Sequence, residues 1–510
     1  SYIGTELARR NLLADIPTEN FDKAKAAARA VWNRELGKIA IEGGTESERT
    51  IFYTALYRSM GRPADITEEG DQYCGFDQKV HPAGGHPFYV GDNFWDTHRS
   101  LHPLQLLLDP GRQVDMIRSL LRMYEQSGWL PTVPTIGGDR GVMIGHHGTA
   151  FITDTWMKGY RDFDVEEAYA GMRKNAMEAT VLPWRRGPLT ELDRVYQEKG
   201  FFPALAQGET ETVKEVHPSE RRQAVAVTLE NSFDDWCLAQ MAKALHKDSD
   251  YAYFMKRAGN YQNVYNPQIG FMAPRSADGR WVEGFDPKLG GGQGGRDYFA
   301  EMNSWTYSFF VPQDIPGLIR LMGGAEAFSK RLDALFTEGY SGSKYVYLAK
   351  FPDSTGLIGQ YAQGNEPSFN IPYLYNHVGQ PWKTQFRIRQ IMKVWYGDGP
   401  LGIPGDDDGG AMSSWYVLSA IGFYPVTVGR PVYDIGSPLF RQVRISLANG
   451  KTFSITARNT SEKNKYVQSA TLNGRELNSP FFTHSDLWAG GSLVLEMGPA
   501  PNRNWGTTPP

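Results

Sequence analysis

The chain has 510 residues, a formal net charge of −4 and only two cysteines. This length favours one large barrel or two domains, and the slightly acidic balance argues against nucleic acid or an anionic membrane surface as a partner. No run approaches the roughly 18 to 20 apolar residues of a membrane span, and neither Cys74 nor Cys237 belongs to a CxxC pair that would indicate a zinc site.

Helical periodicity dominates the chain from about Asn20 to Gly422, between long loops rich in glycine and proline. Many amphipathic helices with loops between them favour a mainly α fold, an α/α toroid with a pocket at one end. A helical bundle beside an unrelated β domain is the alternative, and the lack of a fixed-period repeat disfavours a solenoid. The predicted helices cover residues 21–36, 46–60, 96–107, 111–125, 163–177, 224–245, 250–264, 315–321, 325–336, 384–395 and 413–421.

From about Val432 the pattern changes to short β-branched runs around turns. Residues 443–447 and 452–457 flank Asn449-Gly450, which predicts a hairpin. Together with the runs 466–472 and 492–497, they predict a small antiparallel sheet at the C-terminal end.

Three adjacent carboxylates, Asp406, Asp407 and Asp408, lie in a glycine-bounded turn just before the last predicted helix. Because like charges repel, such a turn is solvated, binds a cation or works on protons. The structural alternative is an Asp N-cap for the helix that follows. Further carboxylates stand beside aromatic and amide side chains in the segments 91–99, 296–305 and 364–367, a mixture that suits a neutral, polyhydroxylated ligand.

Six short blocks give the chain a family resemblance. They are FYTALY at 52–57, FWDTHR at 94–99, MIGHH at 143–147, EMNSW at 301–305, GNEPS at 364–368 and GDDD at 405–408. Over nearly its whole length the chain resembles the α-mannosidases of glycoside hydrolase family 92. The resemblance implies a linker helix region over residues 1–20, an (α/α)6 barrel over 21–430 and a C-terminal β-strand region over 431–510. It also implies calcium-dependent, exo-acting hydrolysis of α-linked mannose with inversion.

An inverting glycosidase needs a protonated carboxyl group that donates to the leaving oxygen and a carboxylate that activates water on the opposite face of the sugar. Glu301 has Tyr298 and Trp305 close by in sequence, a setting that favours its protonated form. The resemblance makes this glutamate the general acid, and a place on a helix surface is the alternative. The resemblance assigns the general base to Asp406 and Asp408.

Calcium has a particular use on mannose, because the axial O2 and its neighbour O3 can chelate a hard cation and help to flatten the ring. Our candidate oxygen ligands for Ca²⁺ are Asp408, Asn370 and Glu366. Since the chain has no EF-hand pattern, we expect such a site to be assembled from distant loops. The adjacent His146 and His147 lack a helical partner for zinc, so we expect loop packing or a polar contact in the pocket.

Sugar binding is expected from Trp95, Asp96 and Arg99, where a ring face and a charged hydrogen-bonding pair bracket one monosaccharide. The alternative is a buried Asp–Arg ion pair that braces a helix. Asn365 and Glu366 complete the predicted substrate-binding set. Family members that cleave α-1,2 linkages tend to carry His-Glu at these two positions, so we do not expect a strict α-1,2 specificity.

Two other functions are compatible with these residues. A calcium-dependent carbohydrate-binding protein would keep the pocket without turnover, but it has no need for a general acid. A mannosyl-phosphate hydrolase needs no acid either, because a phosphate leaving group is stable without protonation. Glu301 therefore favours an ordinary glycoside, and the expected partner is a mannose-containing glycan of the N-glycan type, met in a secreted or periplasmic location.

A further partner is expected from the resemblance. Family members usually carry an N-terminal β-sandwich domain before the barrel, whereas this sequence starts almost at the predicted barrel. We therefore expect a separate β-sandwich domain or chain that covers the barrel and the C-terminal strands. Without it, those strands would leave an apolar face or an unpaired edge exposed.

Overall fold

The computed structural model describes residues 1–185, 187–206, 208–340 and 355–508. Helices dominate up to residue 421 and strands follow, which confirms a mainly helical chain with a C-terminal sheet. Numbered in chain order over the described residues, the α-helices are α1 Thr5–Asp15, α2 Phe21–Leu36, α3 Glu46–Arg58, α4 Phe94–Thr97, α5 Leu101–Leu108, α6 Pro110–Ser127, α7 Gly148–Met157, α8 Val165–Glu178, α9 Glu191–Lys199, α10 Ala224–Ala244, α11 Asp248–Ala258, α12 Ser304–Tyr307, α13 Ile315–Leu321, α14 Ala325–Leu335, α15 Pro381–Trp395, α16 Ala411–Ile421 and α17 His484–Trp488.

The strands of the described residues fall into three groups. Two-stranded pairs of two- or three-residue strands lie in the helical part, and the remaining strands form one six-stranded sheet and one three-stranded sheet. In chain order they are β1 Ile39–Glu42, β2 Ala64–Asp65, β3 Gln72–Cys74, β4 Val80–Pro82, β5 Tyr89–Val90, β6 Pro134–Thr135, β7 Gly138–Asp139, β8 Tyr265–Asn266, β9 Phe271–Met272, β10 Leu357–Ile358, β11 Tyr361–Ala362, β12 Phe423–Tyr424, β13 Val432–Ile435, β14 Gln442–Ser446, β15 Thr452–Arg458, β16 Tyr466–Leu472, β17 Arg475–Glu476, β18 Phe481–Thr483 and β19 Gly491–Gly498.

Local signals set several helix ends. Thr45 and Glu48 form a reciprocal capping box at the start of α3, because each side chain accepts from the backbone N–H of the other residue. At the start of α6 the Asp109 side chain accepts from the backbone of the third following residue, and Pro110 occupies the first helical position. Gly128 ends that helix in the left-handed conformation, at φ 81°.

Two helices lie at the centre of the core. All residues of α16 are buried, and so are those of α10 from Ala224 through Ala239. Helix α10 packs against α7, α8 and α11, whereas α16 packs against α3 and α5. Helices buried on every face suit the inner ring of a toroid, and the closed (α/α)6 barrel remains a prediction.

The C-terminal sheet differs from the predicted one in one pairing. Its strand order is β1-β14-β15-β19-β16-β17, so the last strand is inserted between β15 and β16. As a result β19 runs antiparallel to β16 but parallel to β15, and the sheet is mixed where we predicted it to be antiparallel. Alternate residues Phe453, Ile455 and Ala457 of β15 are fully buried, which places one face of the sheet in the core.

Exposed apolar side chains concentrate near the start of the chain and not on the C-terminal strands. Leu12, Leu13 and Phe21 are 58, 61 and 76% exposed, and no residue of α2 is fully buried. Among the described residues beyond 401 no large apolar side chain is exposed, so the expected apolar face of the C-terminal sheet is not found. Among the described residues, no helix is both long enough and apolar enough to cross a bilayer.

Candidate active site

Three carboxylates from distant segments converge at one point of the helical domain. Asp96 lies in α4, Glu366 begins the 3-10 turn Glu366–Ser368, and Asp408 begins the 3-10 turn Asp408–Gly410. Each offers an oxygen atom within 4.8 Å of the other two. Asp96 and Glu366 are buried and Asp408 is half-buried. Residues predicted to bind the sugar and residues predicted to bind the cation thus lie together at this point.

Two carboxyl groups of this cluster have pKa values above the ordinary range. Burial, followed by the negative charges of Asp408, Asp96 and Glu301, raises the pKa of Glu366 well above its ordinary value. Burial also raises the pKa of Asp408, with a further contribution from Asp406. Carboxyl groups with raised pKa values in a buried cluster are the arrangement expected where protons or a metal cation bind.

The three aspartates of this turn differ in backbone conformation, hydrogen-bond partners and exposure. Asp408 adopts a left-handed backbone with φ 45°, and a Cβ on Gly410 would lie 3.2 Å from the Arg58 carbonyl oxygen, so the sharp turn requires glycine. The Asp407 carboxylate accepts hydrogen bonds from the Ser413 backbone N–H at 3.0 Å and from its hydroxyl at 2.6 Å. Asp407 therefore binds the first turn of α16, although the N-cap position itself is Gly410 and not an aspartate, while Asp406 is exposed.

Glu301 lies beside the cluster and is held by an amide. The Nδ2 atom of Asn365 donates a hydrogen bond to Oε2 of Glu301, and both side chains are buried. The Glu301 carbonyl oxygen accepts from the backbone N–H of Gly292 at 3.3 Å. Asn303 caps α12 immediately downstream, because its side chain accepts from the backbone of Trp305. The predicted acid is thus buried close to Glu366 and does not lie on an exposed helix surface.

Several buried polar atoms around these carboxylates have no hydrogen-bond partner within the described part of the chain. Leaving one buried polar group unpaired costs about 1 to 3 kcal/mol, so a group of them in one place indicates a ligand that supplies the missing partners. They include Nε1 of Trp95, Oδ1 of Asn365, Oε1 of Glu366, Oγ of Ser368 and Nδ2 of Asn370. Donors and acceptors are both represented, as a sugar with many hydroxyl groups requires.

Arg99 differs from the expected pairing with Asp96. Its Nη2 donates to both carboxylate oxygens of Glu230, at 3.0 and 3.1 Å, and its Nε donates to the Trp95 carbonyl oxygen at 3.0 Å. The guanidinium carbon lies 4.5 Å from the ring centre of Phe310. Arg99 also lines a small cavity of about 20 Å³ with Glu366 and Asn370. Arg99 therefore lies next to Glu366 of the carboxylate cluster. Its ion-pair partner is Glu230, which the sequence analysis did not single out.

Behind Glu230 lies His147, which we had expected only to pack or make a polar contact. Its Nε2 lies 3.2 Å from Glu230 and its Nδ1 lies 2.8 Å from Asp234. Burial alone would lower the pKa of His147, but the two carboxylates together raise it to about 9. Charged residues in the otherwise apolar helix α10 were the sequence signal for this network.

A catalytic domain of a glycoside hydrolase accounts for this arrangement, and comparison with known proteins gives the family. Residues 7–499 match the model of the glycosyl hydrolase family 92 catalytic domain. The chain therefore belongs to glycosyl hydrolase family 92, as the sequence blocks predicted.

Individual relatives extend this comparison. The chain is 29% identical to an uncharacterized secreted glycosidase of Arthroderma benhamiae, with 99% of this chain and 61% of the relative covered. Its structure matches the family 92 α-mannosidase BT3965 of Bacteroides thetaiotaomicron in complex with mannoimidazole, with a TM-score of 0.88, 32% identity and coverage of 99% of this chain and 63% of that one. The inverting mannosidase BT2199 of the same organism gives a TM-score of 0.87 and 35% identity over 100% of this chain and 67% of its own. The chain thus spans about three fifths to two thirds of the length of these proteins.

Proposed function

We propose that this chain is the catalytic part of an exo-acting α-mannosidase that hydrolyses α-linked mannose with inversion. The observation that carries the proposal is the buried pair of Glu301 and Asn365 beside a cluster of three carboxylates with unpartnered polar atoms around it. The similarity to an α-mannosidase bound to mannoimidazole and to an inverting mannosidase supports both the substrate and the stereochemistry.

Glu301 is the proposed general acid. The hydrogen bond from Asn365 to Oε2 orients the Glu301 carboxyl group, which would transfer its proton to the glycosidic oxygen. As the bond between the anomeric carbon and this oxygen breaks, Glu301 becomes an anion, and the amide N–H stabilises the new negative charge. Burial of Glu301 keeps water away from the acid until substrate is bound.

Asp406 and Asp408 form the proposed base side. One of these carboxylates takes a proton from the water molecule that attacks the anomeric carbon from the face opposite the leaving group. Asp406 is exposed, so water has access to it, whereas Asp408 is half-buried within the carboxylate cluster. Attack from the opposite face gives β-mannose as the first product of an α-mannoside.

The residues that would hold Ca²⁺ are Asp96, Glu366 and Asp408. Their oxygen atoms come from three segments within 4.8 Å of one another, and the Oε1 atom of Glu366 is buried without a partner, which fits a cation with several oxygen ligands. Bound there, Ca²⁺ would engage sugar hydroxyl groups and favour the flattened ring of the transition state. Asp96 thus joins the predicted ligands, and Asn370 lies with Glu366 at the small cavity.

The substrate that we propose is a mannose-containing glycan of the N-glycan type, without strict α-1,2 specificity. Asn365 contacts the acid itself, where a histidine is usual in α-1,2-specific members, and this supports a broader linkage range. A location outside the cytoplasm, secreted or periplasmic, is supported by the secreted glycosidase among the relatives. A β-sandwich domain or chain remains a proposed partner.

A panel of linkage-defined mannobiosides tests the proposal. The protein is incubated with each disaccharide, with calcium or with a chelator, and the anomer formed first is identified by NMR. We expect mannose release in calcium and β-mannose as the initial product. Binding of mannosides without turnover would favour a carbohydrate-binding protein, and α-mannose as the first product would rule out the assigned base.

A further inference from the structure

A row of four buried charges leads away from the carboxylate cluster. In order they are the Arg99 guanidinium, the Glu230 carboxylate, the His147 imidazole and the Asp234 carboxylate, joined by distances of 3.0, 3.2 and 2.8 Å. The row ends where Asp234 accepts a hydrogen bond from the His146 backbone N–H at 2.7 Å. With His147 protonated, positive and negative charges alternate and their sum is zero.

The electrostatics of Glu230 and His147 favour the charged form of each. Burial by itself would raise the pKa of Glu230, but the charges of Arg99 and His147 lower it below its ordinary value. The groups that face His147 are Glu230 and Asp234 from α10 and His98, whose ring stacks on it at 4.4 Å. Burial and the charges of His147 and Arg99 lower the pKa of His98 well below its ordinary value, so His98 stays neutral in the stack.

Stability alone is a poor explanation for four charges in a core, because buried ion pairs are often no more stabilising than apolar residues of the same volume. What distinguishes this row is its free end. Arg99 uses Nε on Trp95 and Nη2 on Glu230, and its Nη1 makes no hydrogen bond to the described residues. The same arginine lines the cavity that Glu366 and Asn370 share.

We propose that Glu230, His147 and Asp234 are positioning residues that hold Arg99 at the carboxylate cluster, where its free Nη1 donates to a hydroxyl group of the bound mannose ring. The inference rests on the proposed mannosidase function. It gives the charged row a task that a merely structural ion pair does not have. The planar guanidinium, fixed on one side by a carboxylate and covered by Phe310, presents one donor direction to the sugar.

The chain offers a matched control on the same helix. Asp235 is buried next to Asp234, but it pairs with Nε of Arg257 at 2.8 Å and takes no part in the row. Replacing Asp235 by Asn therefore removes a buried charge from α10 without touching Arg99. A loss of activity that is confined to Glu230→Gln separates positioning of Arg99 from general damage to the helix.

Steady-state kinetics on an aryl α-mannoside give the first readout, after correction for the folded fraction. We expect kcat/KM to fall about 10- to 100-fold in Glu230→Gln, the loss associated with one charge-assisted hydrogen bond, and to change less than about 3-fold in Asp235→Asn. Equal losses in both variants would overturn the proposal. Should Glu230→Gln not fold, Asp234→Asn at the far end of the row takes its place in the same comparison.

Chemical rescue gives a second readout that a structural role would not move. In Arg99→Ala, guanidinium ions at concentrations well below those that denature should restore activity, because Glu230 still offers them an anchor. In the double variant Arg99→Ala/Glu230→Gln the same ions should restore nothing, with sodium chloride as the control salt. Rescue of both variants to the same extent would contradict the role given to Glu230.

Failure of the proposed function is distinguishable from failure of this inference. Wild-type protein that releases no mannose from any mannoside would remove the proposed function, while the row remains testable by crystallography of Glu230→Gln. There we expect the Arg99 guanidinium to leave its place over Phe310. An unchanged Arg99 conformer in that structure would overturn the inference whether or not the wild-type protein is active.

Discussion

Replacing Glu366 by Gln should stabilise the cation-free protein and abolish its stabilisation by calcium. Glu366 is 1% exposed and faces Asp408, Asp96 and Glu301, and burial and these charges raise its pKa well above the ordinary value. A carboxyl group whose pKa is higher in the folded state than in the unfolded state destabilises the fold as pH rises from the unfolded value, about 4.3, through the folded one. Gln does not titrate, so the variant escapes this loss.

The size of both effects follows from linkage. Calcium at one hundred times its dissociation constant stabilises the folded state by about 2.7 kcal/mol. An unfolding entropy of about 2.1 cal/mol/K per residue, taken over the 510 residues of the chain, gives roughly 1.1 kcal/mol per kelvin and hence a rise in Tm of about 2.5 °C. Each unit by which folding raises the pKa of Glu366 lowers the free energy of unfolding by about 1.4 kcal/mol at pH values above the folded pKa. This loss corresponds to a decrease in Tm of a little over 1 °C.

Differential scanning calorimetry with chelator and with calcium measures both quantities. At pH 7.5 in chelator we expect Glu366→Gln to melt above wild type, with the difference shrinking as the pH is lowered toward 4, and calcium to shift wild type alone. Glu326→Gln, an exposed substitution on α14, is the matched control and should leave both values unchanged. A variant that is less stable than wild type in chelator and gains as much from calcium would refute the carboxylate cluster as a cation site.

Three further outcomes are expected from the proposed roles. Glu301→Gln should lose about 10²- to 10⁴-fold in kcat on a mannobioside but much less on an aryl mannoside with an acidic leaving group, and equal losses would argue against the acid role. Asp406→Asn and Asp408→Asn should impair both substrates alike, because water must be deprotonated whichever group leaves; a variant active only on the aryl substrate contradicts this. Wild-type activity should vanish in chelator and return with Ca²⁺ better than with Mg²⁺, since a flexible site with many oxygens suits the larger ion, and full activity after exhaustive chelation would exclude a metal requirement.

The helices were predictable where one face is apolar and the other is polar. The predicted helix 111–125 lies within α6, in which the buried residues Val114, Ile117 and Leu121 recur at helical spacing. The predicted helix 96–107 is instead divided into α4 and α5. In α5 every residue is buried, so the sequence has no polar side to show where the helix begins.

The insertion of β19 between β15 and β16 was not predictable from local patterns. Alternation of apolar residues reveals that a segment is a strand and which face is buried, but it carries no information about which strands are neighbours. Consecutive strands usually pair, and that expectation led to an antiparallel sheet. The long return of the chain through α17 is what places the last strand in the middle.

In the candidate site, residues with local sequence signals could be nominated, whereas residues that interact with distant partners could not. Asp408, Glu366 and Glu301 stand in short polar blocks whose composition already suggested chemistry. Glu230 is 131 positions from Arg99 in sequence and lies in a helix that is otherwise core. One sequence without the fold cannot join two such positions, and it assigned Arg99 to the nearer carboxylate, Asp96.

The charged row and the carboxylate cluster contribute differently to the net charge of the candidate site, and the difference bears on catalysis. The row from Arg99 to Asp234 sums to zero when His147 is protonated, so it adds a fixed donor without adding a net charge. In the proposed calcium-bound state, in contrast, three ionised carboxylates within 4.8 Å of one another would carry one more negative charge than the divalent cation neutralises. A glycosidase transition state has oxocarbenium character and develops positive charge at the sugar ring, and a residual negative charge in a buried site stabilises it more than it stabilises a neutral ground state. The carboxylate cluster that we expect to destabilise the cation-free protein is therefore the same feature that, in the proposed mechanism, favours the transition state over the bound substrate.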